Sequence, residues 1–409
     1  MPDRRLDVWE KLADPEAVPL LEAAAIAVAD GITPASVMRL RKSFPGTSVA
    51  EAIELASARA RADAKFADPS AMMLDRAGLE QATSEMVAEW KAARFGDAPV
   101  LDLCCGIGGD AMALARRGPC TVVDRDPIRA WMAGLNAGAV VRTEAVEVTE
   151  IDHALVHLDP ARRDESSGRR SWRIEDLVPN LDSIRGILAR AEGGAVKLGP
   201  GLPRPTPELH PCQSLSIIAE HGRLVQAVVW TGRLAREEPC EAVDLPSGRT
   251  LSGSPGGFTA AGELDGALLT FHPSIERLEL GPVALEAAMG GDAALAGEPA
   301  VGLGLVTVPL EVIDSVSSKW FRAVRILEVL PPRPDAVASA LRTRFGDEIG
   351  EVVVRTRAAA IDVDAWSREF RRIPRNEKGP RVEVLGLRLG RKTVAVIAEP
   401  IGLQPSSMP

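Results

Sequence analysis

Val100–Asp110 reads VLDLCCGIGGD, and this stretch decides the fold. Its first four residues are apolar except for Asp102, as in a buried parallel strand, and a turn with three glycines follows. Glycines let the backbone turn sharply and approach a ligand closely, and the helix that follows directs its free N–H groups into the site. The pattern D-x-x-x-G-x-G-G differs from the dinucleotide fingerprint G-x-G-x-x-G. The stretch predicts a strand–turn–helix unit that holds a ligand, and the spacing of its glycines differs from that of the dinucleotide-binding motif.

Further segments continue this pattern along the chain. Cys120–Asp124 is a short apolar strand that ends in an acid, and in nucleotide-binding sheets such an acid accepts hydrogen bonds from ribose hydroxyls. Ala154–Leu158 is another apolar run, and it leads into the turn Asp159–Arg163. Strands and helices alternate from about residue 98 to 235, which predicts a parallel sheet.

In this order and spacing, the segments resemble motif I and the later motifs of class I S-adenosylmethionine-dependent methyltransferases. Gly78–Thr83 (GLEQAT), Asp159–Arg163 (DPARR) and Arg325–Pro331 (RILEVLP) are similar to a bacterial family of such enzymes with a C-terminal THUMP-like domain. The core also resembles trimethylguanosine synthase-type RNA methyltransferases, whose first motif has the same C-G-x-G-G character.

The resemblance implies an α/β fold with a Rossmann-like class I methyltransferase sheet, in which strands six and seven form an antiparallel hairpin. We expect an N-terminal helical region (1–95), the cofactor-binding core (96–235), a variable extension (236–317) and a small α/β THUMP-like module (318–409). Within the first region, apolar spacing predicts one long amphipathic helix over Asp75–Arg94.

The cofactor that the resemblance implies is S-adenosylmethionine. Asp102 is expected to meet the methionine ammonium, or to order water near it, because a carboxylate offsets a buried positive charge. Asp124 is expected to bind the ribose hydroxyls, with Asp126 as the alternative. Glu147 or the Val148 backbone is expected to meet the adenine. The other expected cofactor residues belong to the glycine turn and the segment before the core: Cys104, Gly106, Gly108, Gly109, Gln81 and Thr83.

Simpler structural roles remain open for several of these residues. Asp102 or Asp110 could cap the helix after the turn and stabilise its dipole. Asp124 could end its strand without binding a ligand. Gln81 and Thr83 could serve in packing alone. The cofactor hypothesis depends on the order of the motifs rather than on any single residue.

The expected catalytic residues are Asp159, Pro160 and Arg162. In enzymes that methylate exocyclic amines, a similar Asp or Asn side chain and a proline carbonyl accept the amine hydrogens. Arg162 could stack on a base or bind phosphate in bidentate fashion, or it could form a salt bridge within its loop. The chain has no Tyr, so a stacking ring must be Trp or Phe, and Trp172 is the nearest candidate. A pyrimidine C5 methyltransferase needs a cysteine nucleophile near strands four or five, and neither Asp159–Pro160 nor Val196–Pro200 contains one.

Charge is distributed unevenly along the chain. The net charge is −9, yet the part from Lys319 onward has 17 Lys and Arg against 11 Asp and Glu, a net +6. Such asymmetry favours a nucleic-acid partner, although a solvated basic face is the simpler interpretation. The expected RNA contacts are the loop Arg162–Arg173 and these C-terminal residues: Arg355, Arg357, Arg371, Arg372, Arg375 and Lys378.

We expect a cytoplasmic protein without a membrane or metal partner; the sequence does not indicate its oligomeric state. The N-terminus lacks an apolar signal region, and five cysteines without C-x-x-C spacing are typical of reduced thiols. His153 and His157 lie around a predicted strand and are interpreted as core or edge histidines. The sequence thus predicts an RNA methyltransferase acting on a nitrogen or oxygen. Methylation of a small molecule or protein, and RNA binding without catalysis, remain the alternatives.

Overall fold

The computed structural model divides the chain into two units, Met1–Thr250 and Leu251–Pro409. It describes residues 3–44, 48–147, 149–151, 155–162, 174–203, 205–261, 264–313, 316, 318–346 and 348–401. A nine-stranded sheet organises the first unit and an eight-stranded sheet the second. Within the described ranges, no helix is long and apolar enough to cross a bilayer.

The N-terminal unit begins with helices and continues with alternating strands and helices. Its described helices are α1 (Asp3–Ala13), α2 (Val18–Ala29), α3 (Pro34–Ser43), α4 (Ser48–Ala62), α5 (Arg76–Gln81), α6 (Glu85–Ala92), α7 (Gly109–Ala115), α8 (Pro127–Ala137) and α9 (Leu181–Leu188). Its described strands are β1 (Val100–Leu103), β2 (Cys120–Asp124), β3 (Val140–Thr143), β4 (Leu155–Leu158), β5 (Ala161–Arg162), β6 (Leu177–Val178), β7 (Gly193–Leu198), β8 (Gln213–Glu220), β9 (Arg223–Gly232), β10 (Cys240–Leu245) and β11 (Arg249–Gly253).

The N-terminal helices form a layer with its own apolar core, in which Trp9 and Leu55 are fully buried. A capping box starts α3: the Thr33 hydroxyl accepts the Ser36 N–H at 3.1 Å, and the Ser36 hydroxyl accepts the Thr33 N–H at 2.9 Å. The same core includes Ile107 of the glycine turn. The helical layer therefore supports the turn that the sequence singled out.

The prediction of one helix over Asp75–Arg94 is wrong, because the chain breaks between α5 and α6. Ala82 and Ser84 adopt extended backbone angles, with ψ of 143° and 150°. Between them the buried Thr83 hydroxyl donates a hydrogen bond to Asp110 at 2.7 Å. The apolar pattern did not reveal the break, since a hydrogen bond to a residue distant in sequence leaves no trace in local periodicity.

The sheet of the N-terminal unit confirms the predicted parallel core and hairpin. The strand order is β11-β10-β8-β9-β7-β4-β1-β2-β3, and β3, β2, β1, β4 and β7 pair in parallel. β9 lies antiparallel between β7 and β8, and the β8–β9 hairpin turns at His221 and Gly222. Because β1, β2 and β4 run parallel, their carboxyl ends lie at one edge of the sheet, where ligands bind in such folds.

The C-terminal unit is also α/β. Its described strands are β12 (Thr259–Ala260), β13 (Ala267–Phe271), β14 (Gly297–Glu298), β15 (Leu305–Val308), β16 (Phe321–Leu330), β17 (Val352–Thr356), β18 (Val382–Leu389) and β19 (Lys392–Pro400), in the order β12-β14-β15-β13-β16-β19-β18-β17. Its described helices are α10 (Pro273–Leu278), α11 (Gly281–Met289), α12 (Leu310–Ile313), α13 (Pro334–Phe345) and α14 (Val363–Phe370).

Residues 236–317, which the sequence analysis set apart as one extension, are shared between the two sheets. β10 and β11 extend the first sheet, whereas β12–β15 belong to the second. β13 pairs with β16, and Leu268 packs in the same core as Leu385 and Val396. Short strands such as these give a weak signal in sequence, and their assignment depends on partners distant along the chain.

Candidate functional site

The glycine turn after β1 is closely packed on one side and open on the other. Cys104, Gly106 and Gly108 have left-handed φ angles of 58°, 56° and 85°. A Cβ added at Gly108 would lie 2.9 Å from the Cα atom of Ala133 in α8, so only glycine fits there. A Cβ at Gly106 would meet no atom within 4 Å. The turn therefore leaves open space beside the backbone at Gly106, which the side chain of a larger residue would occupy.

Asp124, at the end of β2, connects that strand to the turn. One carboxylate oxygen accepts the Gly106 N–H at 3.1 Å and the other accepts the Asp126 N–H at 2.9 Å. Burial raises the pKa of Asp124 above its ordinary value, although these hydrogen bonds oppose the shift. The Asp126 side chain caps α8 and accepts the N–H groups of Ile128 and Arg129. Asp124 thus lies against the turn, while Asp126 has a structural partner in its own helix.

Asp102 lies inside the sheet, and its side chain is 1% exposed. Its Oδ1 is 2.7 Å from Nδ1 of His157 on the neighbouring strand β4. Its Oδ2 is buried and has no hydrogen-bond partner among the described residues. Burial raises the pKa of Asp102, and the interaction with His157 works against that rise.

A buried polar network continues from this pair; we use the term for Asp102, His157, Lys91, Asp110 and Thr83. Lys91 Nζ lies 2.6 Å from Oδ1 of Asp110 and 3.3 Å from Nε2 of His157. Burial alone would raise the pKa of Asp110, but the positive charges of Lys91 and other neighbours bring it well below its usual range. Burial lowers the pKa of Lys91. The network joins α6, α7, β1 and β4 around an ionised carboxylate directly after the glycine turn.

Asp159 follows β4 at the same sheet edge. Its backbone N–H donates to the Leu103 carbonyl at 3.1 Å, which places it beside the end of β1. Its Oδ2 accepts a hydrogen bond from Lys197 Nζ at 2.6 Å. Burial lowers the pKa of Lys197, but the charges of Asp159 and Asp110 outweigh this and raise it. Lys197 therefore faces the site and orients the Asp159 carboxylate.

The segment before the core lies against the turn. A Cβ at Gly109 would be 3.1 Å from the Thr83 carbonyl oxygen, and Lys197 Nζ is 3.4 Å from the Gln81 carbonyl. The Gln81 side chain is exposed, whereas the Thr83 side chain is buried and bonded to Asp110. The structure thus brings both residues next to the turn, but only Gln81 presents its side chain to solvent.

The remaining predicted residues have more varied positions. Pro160 is buried and Glu147 is exposed. Arg162 lies on β5, which pairs with β6, and nothing is described of its side chain. Burial raises the pKa of the Cys104 thiol, which disfavours the nucleophilic thiolate. Several expected positions lie outside the described residues: Val148, His153 and the basic loop Arg163–Arg173 with Trp172.

Sequence reasoning missed Lys91 as a functional residue. Lys91 lies in α6, within the helix predicted from the sequence, and a lysine on a helix is ordinarily solvated. In the structure its side chain is only 2% exposed. His157 is a core histidine, as expected, but the sequence gave no sign of its carboxylate partner. Among the described residues, no group of three His, Cys, Asp or Glu side chains could hold a metal ion.

Comparisons with known proteins bear on the fold and on the class of protein. No family model matches the chain. It is 32% identical over 166 residues to uncharacterized S-adenosylmethionine-dependent methyltransferases of two Mycobacterium tuberculosis strains, CDC 1551 / Oshkosh and ATCC 25618 / H37Rv. The match covers 38% of this chain and 45% of each relative, so the chain spans less than half the length of these curated relatives.

Among solved structures, the chain is similar to the crystal structure of a protein from Porphyromonas gingivalis W83 described as a methyltransferase. The TM-score is 0.67 at 16% sequence identity, and the alignment covers 93% of this chain and 98% of the other. This likeness shows an α/β methyltransferase fold. The enzyme class and the cofactor expected from the sequence are those in the description of the mycobacterial relatives.

Proposed function

We propose that the chain is an S-adenosylmethionine-dependent methyltransferase that modifies a nitrogen or oxygen atom of a nucleotide in RNA, either tRNA or rRNA. One observation carries this proposal. The open backbone surface at Gly106, the Asp124 carboxylate bonded to it and the Asp159 carboxylate beside β1 occupy one edge of the sheet. The proposed ligand surface and the proposed acceptor-orienting group would thus be adjacent.

The residues present fit the cofactor. The space at Gly106 admits a ligand against the main chain, with Gly108 and Gly109 shaping the turn and Cys104 contributing backbone. Asp124 retains acceptor capacity for ribose hydroxyls, since a carboxylate has about four acceptor positions and two are used. Further contacts are proposed on both sides of the turn in sequence. We assign Asp102 to the ammonium, Glu147 or Val148 to the adenine, Asp126 to the ribose as an alternative, and Gln81 and Thr83 to the methionine end.

The unpartnered Oδ2 of Asp102 supports its proposed role. A buried carboxylate oxygen without a hydrogen bond costs free energy, and a nearby ammonium or a bridging water would offset that cost. When bound, S-adenosylmethionine supplies an electrophilic methyl group on a positively charged sulfur.

In the proposed mechanism, Asp159 and the Pro160 carbonyl orient the acceptor. Lys197 bonds Oδ2 of Asp159, and Oδ1 remains to accept a hydrogen bond from an N–H or O–H of the acceptor. Lys197 also keeps the carboxylate in one orientation, so the acceptor lone pair can be aimed along the line of transfer. Catalysis then comes chiefly from proximity and orientation. Arg162 is proposed to contact a base or a phosphate of the acceptor.

The RNA assignment has its support in the charge of the segment from Lys319 onward; the unit as a whole, from Leu251, has 18 Lys and Arg against 20 Asp and Glu. The basic residues from Lys319 onward lie on a C-terminal unit that we propose to be THUMP-like and to bind the phosphate backbone. Two of the predicted basic residues, Arg355 and Arg357, lie together at the end of β17. Arg371, Arg372, Arg375 and Lys378 are exposed.

Methyl transfer tests the proposal. Radiolabelled S-adenosylmethionine is incubated with total RNA from a strain that lacks this gene, and with wild type, Asp159→Ala or the exposed-site control Asp182→Asn. We expect label on RNA with wild type and the control but not with Asp159→Ala, and nucleoside analysis then identifies the atom. Cofactor binding without labelled RNA would refute the RNA assignment; the absence of cofactor binding would refute the methyltransferase proposal itself.

A further inference from the structure

The C-terminal unit contains a cavity of about 560 Å³, lined only by residues of that unit. This volume lies within the range of pockets for small organic ligands, about 300–1,000 Å³. Its cationic lining residues are Lys319, Arg322, Arg355 and Arg357. None of the described residues that line it is an Asp or Glu. The lining thus presents a single sign of charge.

A buried carboxylate behind the lining holds two of the arginines. Glu383 of β18 is 1% exposed, and one of its oxygens forms an ion pair with Arg322. Its other oxygen is 3.3 Å from Nε of Arg355. Two guanidinium groups therefore share one negative charge, and that charge lies beneath them rather than in the cavity. Holding the groups in place lowers the entropy cost of binding an anion.

The other two cations add to the positive charge. Arg357 donates two hydrogen bonds to Glu276, at 3.0 and 3.2 Å, so its guanidinium is fixed as well. Lys319 is exposed at the cavity and forms no ion pair with any residue the structure describes. Four cationic groups are thus accompanied by two carboxylates, and the excess positive charge favours an anionic ligand.

Aromatic side chains form a second part of the lining. Trp320 contacts His272 edge-to-face with ring centroids 5.6 Å apart, and Phe271 contacts Phe321 at 6.1 Å. The backbone fixes the Trp320 position, because its carbonyl accepts the His272 N–H at 2.7 Å and its N–H donates to the Ser318 hydroxyl at 3.1 Å. Flat apolar rings beside cations suit a ligand that has both a heterocyclic base and a phosphate.

The backbone after β17 is strained next to the same arginines. Ala358 and Ala359 have φ angles of 53° and 47°, a left-handed conformation that non-glycine residues rarely adopt, still less in succession. The Arg357 N–H donates to the Gly386 carbonyl at 2.9 Å, so the strand ends at a defined position. Strain of this kind is concentrated at ligand sites, where it fixes functional side chains.

We propose that this cavity binds a nucleotide, with the phosphate on Lys319, Arg355 and Arg357 and the base against Trp320. Arg322 orients Glu383 and thereby Arg355. The nucleotide is either free or one unit of an RNA strand, since both offer the same phosphate and base. None of the residues assigned to the cofactor or to orienting the acceptor atom belongs to this unit. Arg355 and Arg357 are also among the proposed RNA contacts, so the inference rests on the proposed function where the nucleotide belongs to an RNA strand.

Calorimetry on the full chain tests the proposal. The probes are AMP, GMP, CMP and UMP, inorganic phosphate alone, and a short single-stranded RNA, at low salt. The variants are Lys319→Gln and Trp320→Leu, with Arg388→Gln as the control, an exposed arginine of the same unit that does not line the cavity. We expect at least one nucleoside monophosphate to bind, and Lys319→Gln and Trp320→Leu each to weaken it by about tenfold, as for loss of a charged hydrogen bond or a stacked base.

The RNA probe distinguishes the source of the nucleotide. RNA binding that is tighter than binding of any mononucleotide, and that Lys319→Gln and Trp320→Leu both weaken, assigns the cavity to a strand. Equal or weaker RNA binding, or RNA binding that these variants leave unchanged, assigns it to a free nucleotide. Three results would overturn the proposal: no probe binds, phosphate alone binds as tightly as the nucleotides, or Arg388→Gln weakens binding as much as Lys319→Gln. Because Lys319 is exposed, its variant tests the site even if Trp320→Leu does not fold.

Discussion

Replacement of Lys91 by methionine should strongly destabilise the N-terminal unit. Methionine retains most of the aliphatic stem but removes the ammonium, whose Nζ lies 2.6 Å from Oδ1 of Asp110. Asp110 then keeps only the Thr83 hydroxyl at 2.7 Å and His157, whose Nε2 is 3.7 Å from Oδ2. A buried carboxylate is left without its main compensating charge.

The magnitude follows from the balance between attraction and desolvation. At 2.6 Å and an effective dielectric constant of about 20, two unit charges attract each other by roughly 6 kcal/mol. Removal of both ions from water costs several kcal/mol each, so the intact pair is close to neutral for stability. Breaking it by removing one partner costs about 3–5 kcal/mol. We therefore expect Lys91→Met to lower the free energy of unfolding by about 3–5 kcal/mol, and Lys91→Met/Asp110→Asn to recover most of that loss.

Urea unfolding at neutral pH, followed by circular dichroism, measures these differences. The control is Arg116→Met, which removes two partly exposed ion pairs, with Glu89 at 3.0 Å and Glu85 at 3.3 Å, and should cost no more than about 1 kcal/mol. A loss below about 1 kcal/mol for Lys91→Met would refute the reasoning. A double variant as unstable as the sum of the two single variants would refute it too, since the two charges would then act independently.

Acid provides a second test of the same pair. In the wild type the pKa of Asp110 is lowered, so its stabilising contribution is present above the ordinary Asp pKa and is lost as pH falls through the lowered value. In Lys91→Met the Asp110 carboxylate loses its compensating charge, and burial then raises its pKa. Protonation of Asp110 therefore removes the cost of the buried charge at a higher pH in the variant than in the wild type. The difference in free energy of unfolding between wild type and Lys91→Met should therefore begin to narrow above about pH 4, as the variant's Asp110 becomes protonated. It should narrow further as pH falls below about 4 toward the lowered pKa of Asp110 in the wild type.

Three further predictions concern the site. Because burial raises the pKa of Asp124, and the ribose hydroxyls need an ionised acceptor, affinity for S-adenosylmethionine should fall as pH decreases through that raised pKa. Calorimetry should show that Asp124→Asn binds S-adenosylmethionine at least about tenfold more weakly at neutral pH, and that its affinity changes less with pH. If the affinity of Asp124→Asn changes with pH as steeply as that of the wild type, Asp124 is not the source of the pH dependence. Lys197→Met should lower kcat with little change in KM for the cofactor, and Lys197→Arg should restore part of kcat, because Lys197 orients Asp159. Thiol titration should show Cys212, which is exposed, reacting before Cys104, whose thiol pKa is raised by burial; equal rates would contradict this.

The sequence predicts the core sheet well because its signals are local. An apolar run followed by a glycine turn, such as Val100–Gly109, determines a strand and its crossing within a dozen residues, and the structure confirms the parallel order and the β8–β9 hairpin. Helix α3 is another local case, since Thr33 and Ser36 form its cap within four residues. Elements of this kind need no information from the rest of the chain.

Features that depend on distant partners could not be predicted. At the break between α5 and α6, Thr83 forms a hydrogen bond with Asp110, a residue far from it in sequence. Lys91 resembles a solvated helix residue until Asp110 is seen beside it. The motif identifies Asp159, but its bond to Lys197 becomes visible only when β4 is paired with β7.

The most direct test of the account is cofactor binding by two matched glycine variants. Gly106→Ala and Gly138→Ala both place a Cβ at a left-handed position, with φ of 56° and 61°, and neither Cβ would meet an atom within 4 Å. Each should therefore lose about 1–2 kcal/mol of stability from the backbone. Only the Cβ at Gly106 would occupy the proposed cofactor surface.

Calorimetric titration of both variants with S-adenosylmethionine makes the comparison. The account predicts that Gly138→Ala binds like the wild type, whereas Gly106→Ala loses at least about tenfold in affinity, since an intruding methyl group costs about 1–3 kcal/mol in a packed contact. Equal binding by Gly106→Ala, Gly138→Ala and wild type would contradict the assignment of the glycine turn as the cofactor site.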